Sequence, residues 1–562
     1  MLFEIQKRVL YFLAVFRIGN VYAQIQPMPV IGMKTGIDQN TGEPPLRMNV
    51  NDLAEEGGPM WDLFIRGLDA LQNKPEGDEL SHFEISGIHG LPFEPYNGVG
   101  PVPGGSGGGY CPHQSPQLIT WHRVHLALYE QAIGDEIQRL ALEYVGSDAP
   151  AYQEAAQMFR IPYWDWASDP TLPPSSTQEN ITVNGPNGSL AIHNPLYNYH
   201  WQTYPINTTQ FPGYGSMGPV TVRDGANGFD PDVVNGNLLR AADMIKDSVY
   251  RTFVSTTYDE MASMAAGGSS FETSHNMIHA YVGGSFNDLD LSAFDSLFIL
   301  HHCNLDRLAA MWTAAHGNET HQDQPFTSQG LYATAKGEII TADSPIKPFY
   351  QADGNTFHTG MTAMTTGAFG YTYAETKQGQ KEVITQINKL YGDRVAVADK
   401  IAVSRLGREW FVTVQVERAD LQLPCSIDVY MGDNLAGRTL LLSMPTEGLA
   451  HNELSLRRAI SRLDVDQTDT AAIERILKNE LRVEVVKGDG NTIDPKGISS
   501  LELEIVGEDI TPPSSESEFP LYSNRTTLMT ISTSYIDGEP VSYLESHRQT
   551  AAHAINGRRW RA

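Results

Sequence analysis

Residues 111–130 read CPHQSPQLITWHRVHLALYE. Ser115-Pro116 has the form of a helix N-cap followed by proline at the first helical position, and the apolar residues beyond it recur at helical spacing over Pro116–Leu142. His122 therefore sits inside a helix, while His113 lies on the incoming loop. Nine residues of unbroken helix would put these two imidazoles on opposite faces; with the loop between them they can converge. A second stretch, SHNMIHAYVGG (274–284), sets His275 and His279 four residues apart. On a helix that spacing puts both rings on one face, one turn apart, as shared metal ligation requires. Zinc proteases use the same spacing with Glu directly after the first His. Here that position is Asn276, so the protease reading fails.

A third stretch, FDSLFILHHCNLDR (294–307), carries His301 and His302. Adjacent helical residues point about 100° apart, so only one of them is expected to reach a metal inside a bundle. GIHG (87–90) contributes His89. The expected ligand triads are His89, His113, His122 and His275, His279, His302. A lone His is more often a hydrogen-bonded structural residue than a ligand, and His82, His125 and His301 are read that way, with His301 expected beside the site. Spacing alone leaves the metal open, since imidazole suits zinc, copper, iron and nickel. Glu272, one helical turn before His275, can reach the same pocket.

The rest of the chain bounds the answer. It has 562 residues, enough for roughly two to four domains, and a net charge of −28. That acidity argues against nucleic acid or an anionic membrane surface as partner, because phosphate binding needs clustered Lys and Arg. The three cysteines, Cys111, Cys303 and Cys425, cannot build a disulfide framework or a four-cysteine zinc site. Residues 1–24, with Lys7 and Arg8 before an apolar run and Val21-Tyr22-Ala23 after it, read as a secretory leader. No other segment is apolar over a membrane-spanning length. Helical patterns run over Trp61–Leu71, part of Met261–Tyr281 and Ser292–Trp312. Beyond about Lys400 the period changes to that of strands, in WFVTVQVE (410–417), SIDVYM (426–431), LRVEVV (481–486) and LELEIV (501–506). The expected organisation is a leader (1–24), a large metal-binding domain (25–375), a linker (376–400) whose Thr376–Lys381 stretch is exposed, a smaller β domain (401–545) and a tail (546–562). Gly104–Gly109 reads as a flexible insertion.

The stretches quoted above, with IPYWDWA (161–167), resemble the two copper-binding regions of tyrosinases and catechol oxidases, above all the long fungal tyrosinases. GIDQNTGEPPLR (36–47) and GPMWDLFIRGLDALQ (58–72) resemble the start of that family's catalytic domain, and Tyr371-Thr372-Tyr373 the motif that closes it. The resemblance implies a mainly α catalytic domain, a four-helix bundle around a dinuclear site, followed by a C-terminal β-sandwich that covers the site and keeps the enzyme latent until proteolysis, for which the linker near Thr376–Lys381 is a candidate cut site. It implies two copper ions on the two triads, a thioether between Cys111 and His113, a Glu272–Asn276 pair that positions a water for proton transfer, and Leu289 near the gate. The implied activity is ortho-hydroxylation of monophenols and oxidation of o-diphenols to o-quinones with O2, in pigment or secondary-metabolite synthesis. A zinc-dependent, non-oxidative enzyme on the same six histidines and a haemocyanin-like oxygen carrier are the alternatives. Ser296 stands where the family usually has proline, and Cys425 is alone where some relatives carry a Cys-x-x-Cys pair.

Overall fold

The structure is a computed structural model of the chain, and it describes residues 27–532 except 107, 205, 210–217, 226–227, 318–320, 393–406, 464 and 467. The leader-like residues 1–24 and the tail 546–562 lie outside the described residues.

Five long helices build the first domain: α1 (Gly58–Gln72), α2 (Leu118–Ala141), α3 (Pro231–Val254), α4 (Phe271–Val282) and α5 (Leu297–His316). Helix α2 packs on α1 and α5, α5 on α4, and α4 on α3, which gives the expected bundle with its histidine-bearing helices inside. Each start has a local cause. Ser270 accepts from Thr273 N (3.3 Å) and starts α4, and Gly283, at φ 73°, ends it. Asp295 accepts from Leu297 N (2.9 Å) at the start of α5 while pairing with buried Arg223 (2.7 Å). Ser296 accepts from Gln72 Nε2 (2.7 Å), so its hydroxyl ties α5 to α1. Helix α2 begins two residues later than Pro116. Ser115 caps a preceding turn instead, accepting from Gln117 N, and Gln114 turns the chain in the left-handed region at φ 51°.

A buried polar knot holds α5 to α2. Asp306 pairs with Arg123 (2.6 Å) and Arg47 (3.4 Å) and accepts from the hydroxyls of Tyr371 and Tyr373 (2.7 Å each). The Tyr-Thr-Tyr motif thus closes the domain by hydrogen-bonding its centre.

The linker expectation needs correction. Within 376–400, Gln380–Leu390 forms a further helix, α6, that packs on α5 with Val383, Ile384 and Ile387 buried. These three recur at helical spacing, which the polar residues around them conceal.

The C-terminal domain is two four-stranded antiparallel sheets. Its strands are β1 (Arg408–Glu417), β2 (Cys425–Met431), β3 (Asn434–Leu441), β4 (Leu449–Ser455), β5 (Leu481–Lys487), β6 (Thr492–Ile493), β7 (Glu502–Thr511) and β8 (Leu521–Ser532). The orders are β4-β1-β7-β8 and β6-β5-β2-β3. Trp410, Val412, Val414 and Val416 alternate into the core between them, as period two dictates, and Cys425 is buried there as a plain thiol. Beyond the four expected strands, the described residues add β3, β4, β6 and β8 and two helices, Arg457–Ser461 and Thr470–Glu480, the second of which starts at Asp469 and buries Ile473 and Leu477.

The two domains exchange side chains. Leu440 of β3 belongs to the helical core, and Met264, on the loop before α4, belongs to the β core. Around this exchange Arg251 of α3 pairs with Glu453 and Glu508 (2.8 Å each), and Arg458 pairs with Asp247 (2.7 Å) and Asp243 (2.9 Å).

Candidate metal centre

The bundle brings the two histidine groups face to face. His122 comes from α2, His275 and His279 from one face of α4, and His302 from α5; His89 and His113 come from loops. Ring centroids in the first triad lie 5.3, 5.6 and 5.9 Å apart. The groups adjoin through His122 and His302, stacked at 4.1 Å, and through His113 and His275 at 5.7 Å.

Four rings are oriented the same way. The Nδ1 of His89 bonds Leu289 O (3.0 Å), that of His122 bonds Leu118 O (2.8 Å), that of His279 bonds Phe286 O (2.6 Å) and that of His275 bonds Asn276 Oδ1 (2.9 Å). An oxygen acceptor at Nδ1 holds the proton there and leaves the Nε2 lone pair for a metal. His122 Nε2 faces the Cys111 sulfur at 3.3 Å. His275 and His279 face Nε2 to Nε2 at 3.1 Å, and His89 Nε2 has no hydrogen-bond partner. Two unprotonated nitrogens this close repel unless a cation lies between them.

Burial keeps the rings neutral. It pushes His275 down to about 4 against the opposing hydrogen bond of Asn276, and His89 to about 3, and it holds His113, His122, His279 and His302 well below the usual imidazole value; for all but His275, neighbouring histidines add to the effect. Buried, neutral, converging nitrogens, of which His89 Nε2 and both nitrogens of His302 have no hydrogen-bond partner, fit a metal pair with nitrogen ligands.

His301 departs from expectation. Its ring nitrogens have no partner, and they lie with those of His275, His279 and His302 in one group whose donor atoms are all within 4.8 Å of one another. The 100° rule separates the two rings without removing either from the site. His301 faces Trp166 and Phe286 (5.7 Å each) as well as His279 (4.8 Å), whereas His302 packs between Phe298 (4.1 Å) and His122. His82 and His125 bond backbone carbonyls of Phe294 and Ile85 (2.9 Å each), as structural residues do.

Cys111 Sγ lies 3.4 and 3.7 Å from the two ring nitrogens of His113. The same sulfur lies 3.3 Å from His122 Nε2, so Cys111 sits between two of the expected ligands. Glu272 is buried with both carboxylate oxygens occupied. One accepts from Gln114 N, the other from Met264 N (2.8 Å) and Ser263 Oγ (3.1 Å). Burial raises its pKa and those donors oppose the rise. Asn276 Nδ2 donates to Leu440 O and Met264 Sδ (3.4 Å each).

A cavity reaches His89, Cys111 and His113 past Leu289, and Met444 and Pro445 of the C-terminal domain line its other side. Ser106, Gly108 and Gly109 form part of the wall. A Cβ on Gly109 would come 2.0 Å from His89 O, and one on Gly108 would meet the Met444 methyl at 2.8 Å. Met444, Pro445, Gln114, Met264 and Arg418 escape sequence reasoning. Only Gln114 had a signal, its place directly after His113.

Comparison with known proteins agrees with this geometry. Residues 79–315 match the common central domain of tyrosinase and residues 409–505 the tyrosinase C-terminal domain. The chain is 33% identical over 406 residues to a tyrosinase of Neurospora crassa, covering 65% of this chain and 58% of that protein. It is 33% identical over 405 residues to a tyrosinase of Podospora anserina, covering 64% of this chain and 69% of that protein. A structure of latent and active mushroom tyrosinase superposes with TM-score 0.78 at 23% identity, over 89% of this chain and 98% of that one. An Aspergillus oryzae pro-tyrosinase mutant superposes with TM-score 0.69 at 21% identity, over 89% and 97%. With matching sequence, fold and histidine groups, the chain belongs to the tyrosinase family.

Proposed function

We propose that the protein is a copper oxidoreductase that hydroxylates monophenols at the ortho position and oxidises o-diphenols to o-quinones with O2. The observation that carries this reading is the pair of facing imidazole groups, with four Nδ1 atoms tied back to oxygen and the Nε2 atoms converging. His89, His113 and His122 would hold one copper, and His275, His279 and His302 the other. When bound, the copper pair supplies the oxygen and electron chemistry.

The chain supplies the rest. Leu289 and the glycine-rich wall offer an aromatic ring an apolar approach. Phe298, packed 4.9 Å from His89 and 4.1 Å from His302, keeps water from the space between the groups. Glu272 accepts the phenol proton through a water that Asn276 helps to place. The phenol O–H bond breaks and the carboxylate becomes a carboxylic acid. Met444 and Pro445 close the approach, which supports a latent full-length form like those described for the mushroom and Aspergillus relatives. An o-quinone product suits pigment or specialised-metabolite synthesis.

The test is metal content of the purified full chain, with catechol turnover before and after proteolytic digestion of the C-terminal domain. Two coppers per chain and turnover that rises on digestion are expected. Stoichiometric zinc with no catechol turnover after copper loading overturns the reading in favour of a non-oxidative enzyme, and copper without turnover in favour of an oxygen carrier. Glu272→Gln is expected to lower phenol hydroxylation by about 10²-fold, the lower range for a lost general base, and catechol oxidation far less. Equal loss of both removes the role assigned to Glu272.

A further inference from the structure

The three donors that fill Glu272 come from two loops, and the C-terminal domain grips both. Gln114, whose N–H donates to one carboxylate oxygen, sends its own side chain to Leu449 O of β4 (2.6 Å). Met264, whose N–H donates to the other oxygen, buries its side chain in the β core, and its carbonyl accepts from His451 N of β4 (2.8 Å). Helix α4 is held at the same edge, where Thr273 Oγ1 donates to Asn452 Oδ1 (3.3 Å). Asn276 donates to Leu440 O of β3 and to Met264 Sδ. Arg418, a buried cation of the C-terminal domain, acts on the Glu272 charge and donates to Pro445 O (2.6 Å) and Leu442 O (2.5 Å), on either side of Met444.

A carboxylate has about four acceptor sites, and three of those of Glu272 are taken by groups whose position depends on the docked domain. Gln114 holds a backbone conformation (φ 51°) that costs a non-glycine residue energy, so the loop needs its contacts to stay there. A cover that blocked the cavity by bulk alone would need neither contact.

We propose that Gln114 and Met264 are positioning residues through which the docked C-terminal domain keeps Glu272 and Asn276 engaged, so that latency has a chemical part, specific to monophenols, besides the steric closure by Met444. The inference rests on the reading of Glu272 as proton acceptor. Undocking removes the Leu449 and His451 contacts, loosens both loops and opens the carboxylate to a water.

The test compares copper-loaded full-length chains on phenol and catechol, which differ by one oxygen. Gln114→Asn tolerates the left-handed backbone but is too short to reach Leu449, and Met264→Ala removes the anchor. Each is expected to raise the phenol-to-catechol rate ratio about fivefold or more, and Met264→Leu, which keeps the apolar anchor but loses the sulfur that accepts from Asn276, to raise it less than Met264→Ala. Met444→Ala is expected to raise both rates and leave the ratio unchanged. A second readout needs no metal. Hydrogen exchange at the amides of Gln114 and Met264 is expected to quicken about tenfold in Gln114→Asn and to stay unchanged in Met444→Ala.

An unchanged ratio and unchanged exchange in Gln114→Asn overturn the inference and leave a purely steric cover. Glu272→Gln in the Met444→Ala chain separates the two possible failures. Loss of phenol turnover there preserves the reading of Glu272 whatever Gln114→Asn shows. Retained phenol turnover overturns that reading, and the inference with it.

Discussion

Seven imidazoles converge where six were expected, and the extra one measures what residue spacing can do. The period of α4 was enough to pair His275 with His279, and the Ser-Pro turn was enough to bring His113 to His122. The choice between His301 and His302 was not legible in the same way, because adjacent residues on a helix buried all round can both face inward. The surroundings separate them. His302 stacks on His122 of the other group, while His301 leans on Trp166 and Phe286. His302→Ala is therefore expected to drop bound copper from two to about one per chain, and His301→Ala to keep two with a weakened second site, since neighbours of ligands tune affinity by about tenfold or more. Metal analysis of the dialysed variants decides; the opposite pattern exchanges the two roles. Cys111 gives a second residue-scale prediction. Its sulfur lies against the His113 ring, 3.4 and 3.7 Å from the two nitrogens, so the peptide carrying both residues from copper-loaded protein should be lighter by two hydrogens and resist alkylation. A free, alkylatable Cys111 there excludes the crosslink.

At the scale of elements, the i,i+4 histidine pair of α4, the alternation of β1 and the pattern of α5 were plain in the sequence, while the Ser270 cap of α4 was not. Helix α6 was hidden by its polar surface, and the Thr470–Glu480 helix by the strands around it. What no local pattern reveals is how α2 and α5 are tied. Asp306 and Arg123 are 183 residues apart and meet only in the folded bundle. Burial would raise the Asp306 carboxyl, but Arg123, then Arg47 and the two tyrosine hydroxyls, outweigh it and hold it below its ordinary 3.8. A carboxyl lowered on folding stabilises the fold above its unfolded value, and that contribution is lost as pH falls through the lower, folded value. Asp306→Asn leaves two guanidinium groups buried without their shared anion. The expected cost at neutral pH is about 3–5 kcal/mol. Denaturant unfolding should show the difference between parent and variant constant from neutral pH down to about 5 and shrinking below 3.8. A gap that persists at lower pH would assign the cost to packing instead of charge.

At the scale of the molecule, an acidic chain with 39 Lys and Arg spends several of its arginines at one junction. Arg251, Arg418 and Arg458 all lie where the β domain meets the bundle, and Arg525 joins them by pairing with Glu453 (2.7 Å) and Glu508 (2.6 Å). Alternation announced the β domain, and the resemblance implied that it covers the site, but the contacts that dock it could not be read in advance. They join residues such as Leu440 and Met264 whose apolar character fits either core. The outer ion pairs, such as Arg458–Asp243, are partly exposed, contribute about 0–1 kcal/mol each and weaken in salt, whereas a buried Leu or Met side chain contributes about 1.5–3 kcal/mol and does not. The exchange of Leu440 and Met264 should therefore hold the domain in place after the chain is cut. A protease site placed within 393–406 tests this. Once cut, the two pieces are expected to co-elute at about 0.15 M salt and still at about 1 M, where screening acts within about 3 Å. Catechol turnover should stay near that of the uncut chain. Release by salt alone would mean that the ion pairs carry the docking, and an immediate rise in turnover on cutting would mean that the covalent link was what held the cover closed.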